Sequence, residues 1–142
     1  MDRESLEKIL KVDNQIDELT RITLFLEELG VEWDLPMSLI LSVNLVLEEA
    51  LTNIIHYGFD DRSTHTIEII FNKSGNALSI SIIDDGHEFD PTLRADPDIT
   101  LKAEERPIGG LGIFLIKRTM DKVEYQRKGN INYLILTKNI EL

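Results

Sequence analysis

The hydrophobic period of this chain changes at Gly58, and that switch restricts the possible architecture more than any single residue does. Before it, apolar residues recur at helical spacing; after it, they alternate. Asp13 or Asn14 suits the N-cap of a helix predicted to run to Leu29 and close at Gly30, with Ile16, Leu19, Ile22, Phe25, Leu26 and Leu29 in step. A second helix is predicted from Pro36, a residue favoured in the first turn, to about Tyr57. Leu39, Val43, Leu47, Ala50 and Ile54 form its stripe, and Gly58 is its natural stop. Ile67, Ile69 and Phe71 then alternate, as do Leu78, Ile80 and Ile82, about a Ser74-Gly75-Asn76 turn. A second hairpin, about 122–128 and 131–137, turns at Gly129-Asn130, and a helix is predicted over 113–121. Residues 4–11 fit a short strand and a helix start equally. Strands grouped together, with helices grouped beside them, make an α+β fold in which helices cover one face of a sheet.

A chain of 142 residues has room for one domain with a real core, and 1–142 is expected to be a single domain. Hydrophobic residues make up 42% and charged ones 29%, the balance of a globular rather than a disordered chain. No apolar run approaches the ~18–20 residues of a membrane span, and Met1-Asp2-Arg3-Glu4 does not open a secretory leader. With no cysteine, disulfides, thiolate catalysis and Cys-zinc sites are excluded. The expected compartment is cytoplasmic. Lys and Arg number 15 against 26 Asp and Glu, for a net charge of −11. That surface repels nucleic-acid phosphates and anionic lipid, so neither nucleic acid nor membrane is expected as a direct partner. A protein partner, or a small molecule in a local pocket, stays open.

Three local patterns carry possible chemistry. Glu49 and Asn53 stand four apart on the second helix and share a face, whereas Glu48 points roughly 100° away. A carboxylate and an amide so placed orient a hydroxyl and offer an oxygen to a hard cation. Taken alone, a solvated glutamate and a helix-end asparagine account for the pair as well. His56 lies on the same stripe, but one imidazole makes a poor transition-metal set. At the end of a strand, Asp84-Asp85-Gly86 follows Ile80-Ser81-Ile82-Ile83. A carboxylate there accepts hydrogen bonds and cannot donate them, which suits the amino group of adenine, and Gly86 lets the backbone approach a flat ring. An ordinary acidic turn is the plainer alternative. Last, Gly109-Gly110-Leu111-Gly112 leads into the 113–121 helix, where exposed N–H groups favour an anion. It matches neither a Walker A loop nor a dinucleotide fingerprint.

The order of the three is more specific than any one of them. Glu49-Ala50-Leu51-Thr52-Asn53, then Asp84-Asp85-Gly86-His87-Glu88-Phe89-Asp90-Pro91, then Gly110-Leu111-Gly112-Ile113 resembles the boxes of the GHKL (Bergerat-fold) ATP-binding family. The sharper likeness is to its anti-sigma factor serine-protein kinases, of the RsbW and SpoIIAB kind. The resemblance implies a two-layer α/β sandwich with a mixed, mostly antiparallel sheet and a short ATP lid over about 90–112. It implies ATP and Mg2+ as ligands, with Asn53 on the magnesium and Glu49 as the general base toward a substrate serine. Asp84 would read the adenine amino group above Gly86, and Gly110 and Gly112 would wrap the phosphates. Arg106 would reach the γ-phosphate. The implied partners are a sigma factor and a STAS-domain anti-anti-sigma protein, and a homodimer is an expectation of the same kind. Two departures stand out: Glu88 occupies the second glycine of the Asp-x-Gly-x-Gly box, and His56 falls three after Asn53 rather than four.

Two functions of different class follow. One is an ATP-dependent serine kinase that sequesters a sigma factor and phosphorylates its antagonist. The other is a non-catalytic binding module that holds a protein partner, with ATP as a structural ligand or absent. The catalytic domain of a sensor histidine kinase is disfavoured, because no histidine lies in a long helical pair.

Overall fold

The computed structural model describes residues 5–93 and 110–140. Its elements are β1 (Ser5–Asp13), α1 (Glu18–Glu32), α2 (Met37–Tyr57), β2 (Thr66–Ser74), β3 (Ala77–Asp84), a 3-10 turn at Pro91–Leu93, α3 (Gly110–Thr119), β4 (Lys122–Lys128) and β5 (Ile131–Asn139). The strands form one sheet in the order β1-β2-β3-β5-β4. All four pairings are antiparallel, so the mixed character expected of the sheet is absent among the described residues.

The alternation read from the sequence sets which face is covered. Ile67, Ile69 and Phe71 of β2, Leu78, Ile80 and Ile82 of β3, and Leu134 and Leu136 of β5 all point into one buried layer. Against it lie Ile22, Leu26 and Leu29 of α1, Val43, Leu47 and Leu51 of α2, and Ile116 of α3. Phe71 stacks at a tilt on Phe25, with ring centroids 5.3 Å apart. Burying each such side chain contributes about 1.5–3 kcal/mol. The 21 residues of α2 carry a mean hydropathy of 1.5 over their best window, long and apolar enough to pass for a membrane span, contrary to the sequence reading. In this fold the buried residues of the helix join the core cluster with those of the sheet, and the helix lies against α1 and α3.

The first helix departs most from expectation. Residues 5–13 are a strand, so neither Asp13 nor Asn14 caps a helix; α1 begins at Glu18. Pairing with β2 along its whole length decides the matter, since local propensity does not. Gly30 does not end α1 but sits inside it, because a Cβ there would come within 2.9 Å of Ile40 on α2. The stop lies four residues later, at Asp34, whose φ of 53° is the left-handed conformation of a helix C-terminus. Leu35 N–H returns to the Gly30 carbonyl at 2.9 Å and Asp34 N–H to that of Val31 at 3.4 Å. α2 runs as read, from Pro36 as its N-cap to Gly58 as its C-cap. α3 starts three residues earlier than predicted and stops at Thr119, which puts Gly110 and Gly112 in its first turn.

Asp34 pays for its left-handed backbone with a Cβ and sets a negative charge at the negative end of a helix. Asp34→Gly is therefore expected to raise the free energy of unfolding by roughly 0.5–1 kcal/mol in urea titration.

Candidate functional site

The inward row of the sheet turns polar at one end. Asp84 continues the parity of Leu78, Ile80 and Ile82, and Asn132 that of Leu134 and Leu136; the two are cross-strand partners. They are the only buried polar side chains among the described residues, 6% and 5% exposed. A buried carboxylate is costly unless hydrogen-bonded, and here Oδ1 of Asp84 accepts the Gly86 N–H at 2.8 Å and the Asn132 amide at 3.1 Å. Oδ2 has no donor among the described residues. Burial pushes this carboxyl above the usual carboxylate range, opposed by the bonds from Asn132 and Gly86. Asn132 also donates to the carbonyls of Gly86 and His87, while its own oxygen accepts from Tyr125 and Arg127.

Beside this pair opens a pocket lined by Ala50, Asn53, Ile54, Tyr57 and Gly58 from α2 and its end. Asp84, Asn132 and Leu134 form its sheet side, Ile113 and Ile116 its α3 side, and His87, Phe89, Pro91 and Tyr125 complete it. Mostly apolar walls with a few convergent polar groups are the usual make-up of a small-molecule site. Asn53 is half-buried and without a hydrogen bond among the described residues. Glu49 lies one turn earlier on α2 and is not part of the pocket lining. Its Oε2 lies against Gly112, 2.5 Å from where a Cβ would stand. Gly86 is a second enforced close approach, because a Cβ there would meet the Gly58 carbonyl oxygen at 2.6 Å.

The structure thus brings Asn53 and Asp84 to one pocket and Glu49 to Gly112 at its edge. Gly86 lies beneath Asp84, and Gly110 opens α3. Arg106 and residues 94–109 of the expected lid lie outside the described residues. His56 is exposed, its ring edge-on to Tyr57, so the helical stripe does not carry it to the pocket.

The loop between α2 and β2 is tied to the Asp85–His87 turn at three points. His87 N–H donates to the Gly58 carbonyl at 2.8 Å, and the His87 ring meets Asp60 at 2.9 Å. His65 sits between Asp61, at 2.8 Å from Nε2, and Asp85, at 3.1 Å from Nδ1, and stacks on Phe59. Its pKa is raised by the hydrogen bond to Asp61 and the charges of both aspartates, and the same bond lowers that of Asp61.

Asn132, Tyr125 and Arg127 escaped the sequence reading. The signal for Asn132 was present: it is a polar residue on the inward parity of an otherwise apolar strand. Tyr125 and Arg127 share a parity on β4, an amphipathic edge strand that gives no such contrast.

The fold and site define a class: an α+β sandwich with a mostly apolar pocket between a core helix and the polar end of its sheet. Residues 12–138 match the family model described as the histidine kinase-like ATPase domain, and the chain belongs to that family. It is 29% identical over 98 residues to the serine/threonine-protein kinase BtrW of Bordetella bronchiseptica, covering 69% of each chain. To the serine-protein kinase RsbW of Bacillus cereus it is 31% identical over 103 residues, 70% of this chain and 63% of that one. A crystal structure of RsbU and RsbW domains from Mycobacterium tuberculosis superposes with a TM-score of 0.69 at 14% identity, covering 95% of this chain and 32% of that one; it shares the fold. The GHKL resemblance drawn from the three boxes, anti-sigma kinase branch included, agrees with these relatives.

Two substitutions separate the glycines. Gly86→Ala meets unyielding backbone and is expected to cost about 1–3 kcal/mol in denaturant unfolding. Gly112→Ala meets only the end of a flexible glutamate and gains helix propensity, so stability should stay within about 1 kcal/mol of the parent. Because the pKa of folded His65 is raised, its stabilisation is complete below its ordinary value of 6.5 and disappears as pH rises through the folded value. Thermal melts of His65→Gln should therefore differ from the parent most below that pH and converge with it in alkali.

Proposed function

We propose that this chain is an ATP-dependent serine kinase that sequesters a sigma factor and phosphorylates the STAS-domain antagonist of that partner in the cytoplasm. The observation that carries this reading is the open Oδ2 of buried Asp84 in the same pocket as Asn53, with Glu49 one helical turn beyond. An acceptor-only oxygen in an apolar pocket suits the amino edge of adenine. Gly86 keeps the turn beneath it tight enough for a flat ring to lie close.

From the base, the ligand's phosphates run toward α2 and the first turn of α3. Gly110 and Gly112 lie in that first turn, where backbone N–H groups and the helix dipole would favour negative charge. Asn53 would hold Mg2+, a cation that takes few protein oxygens and keeps water and phosphate for the rest. Among the described residues no group of three or more His, Asp or Glu is placed to hold a metal ion, and Asn53 would supply a single oxygen. Bound there, the ion would neutralise phosphate charge.

Glu49 acts on the protein substrate. Its carboxylate takes the proton of the serine hydroxyl while the serine oxygen bonds to the γ-phosphorus. The bond to the β–γ bridging oxygen breaks, and ADP leaves with the electron pair. Gly112 keeps α3 close without displacing the carboxylate.

Calorimetry with Mg–ATP, followed by labelled ATP with a STAS-domain antagonist, tests the reading. Nucleotide should bind and one serine should be labelled. Glu49→Gln should slow labelling by at least about 10²-fold while ATP still binds. Asp84→Asn keeps an acceptor for Gly86 and Asn132 but turns a donor to the base, so it should fold and lose ATP. No heat on titration refutes the nucleotide site. Binding without transfer selects the non-catalytic sequestering module instead, and equal labelling by the Glu49 variant removes the assigned base.

A further inference from the structure

The orientation of the Asn132 amide is fixed from both of its ends. Its Oδ1 receives the Tyr125 hydroxyl and, at 3.0 Å, Nη1 of Arg127. Its Nδ2 faces Asp84 Oδ1 at 3.1 Å, the Gly86 carbonyl at 3.3 Å and the His87 carbonyl at 2.9 Å. A guanidinium has donors and no acceptor, so Arg127 admits only the oxygen end of the amide. A flipped amide would set NH2 against NH and leave three acceptors facing a carbonyl. Arg127 is itself fixed, through Nη1 to the Gly86 carbonyl at 2.8 Å and Nε to the Gly129 carbonyl at 3.2 Å. No carboxylate lies within ion-pair distance of it among the described residues, and its charge favours the ionised form of Asp84.

With Gly86 N–H and Asn132 both donating to Oδ1, a proton on Asp84 has only Oδ2 to occupy. Bare, Oδ2 accepts from an exocyclic amine; protonated, it donates to a carbonyl. An amine at C6 marks adenine, and a carbonyl there marks guanine.

We infer that Arg127, acting through Asn132 and the Gly86 carbonyl, is the positioning residue that presents Asp84 as an acceptor and so makes the pocket select 6-amino over 6-oxo purine nucleotides. This rests on the nucleotide reading above. The other groups bearing on Asp84 are Asp85, which opposes ionisation, and His87, paired with Asp60. The Tyr125 phenol, its pKa raised by burial and by Glu88 among other causes, stays a donor.

Affinities for Mg–ATP and Mg–GTP, measured by calorimetry across the neutral range on the full chain, test the relay in the parent, Arg127→Gln and Arg127→Lys. Glutamine is neutral and able to accept, so it removes both the charge and the donor-only constraint on the amide oxygen; lysine keeps the charge and the donor-only character. In Arg127→Gln the preference for ATP over GTP should narrow by about tenfold, and ATP affinity should begin to fall at a higher pH than in the parent. Arg127→Lys should restore both. Melting curves for each variant report a purely structural role. Equal loss of both nucleotides, or an unchanged ratio and pH profile in Arg127→Gln, overturns the relay and leaves the nucleotide site standing. A parent that binds neither nucleotide overturns the proposed function and this inference with it.

Discussion

One buried carboxylate organises this end of the molecule. Asp84 closes an apolar row of β3 with the core on one side and a pocket on the other. An ionised carboxylate so placed is stable only when donors replace the lost water. Most of the irregular features nearby serve that need. Gly86 turns its N–H back to the carboxylate, and Asn132 comes from the neighbouring strand in register. Arg127 and Tyr125 hold Asn132, and the Gly58 carbonyl holds the turn that follows. Satisfied on one oxygen, the carboxylate keeps the other for whatever enters.

The helix layer has a double assignment of the same kind. α2 buries Val43, Val46, Leu47, Ala50 and Leu51, while Glu49 and Asn53 occupy a neighbouring stripe at the edge of that face. The residues that stabilise the core thereby fix the direction of the residues offered to a ligand, and a rigid element positions them better than a loop would. Glu49 packs against Gly112, so α3 and α2 share one boundary.

Much of this was readable in the residues themselves. The period change at Gly58 marked helices and hairpins, and α2, β2, β3 and the second hairpin follow it closely. The failures lie where a distant partner outweighs local preference. Residues 5–13 gain a full antiparallel partner in β2, which no local window contains. Gly30 looked like a stop because glycine commonly ends helices, yet its bareness serves the approach of Ile40. Gly110 and Gly112 looked like a leader to α3 and are its first turn. Of the pocket and its surroundings, Asp84, Gly86 and Asn53 were singled out by pattern, whereas Arg127 and Tyr125 have no mark that separates them from any edge-strand residue.

Sequence alone determined what each segment is and which way its side chains alternate, because periodicity and turn chemistry act over a few residues. It therefore put a carboxylate on the inward parity of β3 and an amide on that of β5. Tertiary structure alone decided that the two meet, since their pairing joins residues 48 apart in the chain. It also decided which oxygen of Asp84 is occupied and which remains open, for one of the two donors that settle it, Asn132, comes from a distant strand.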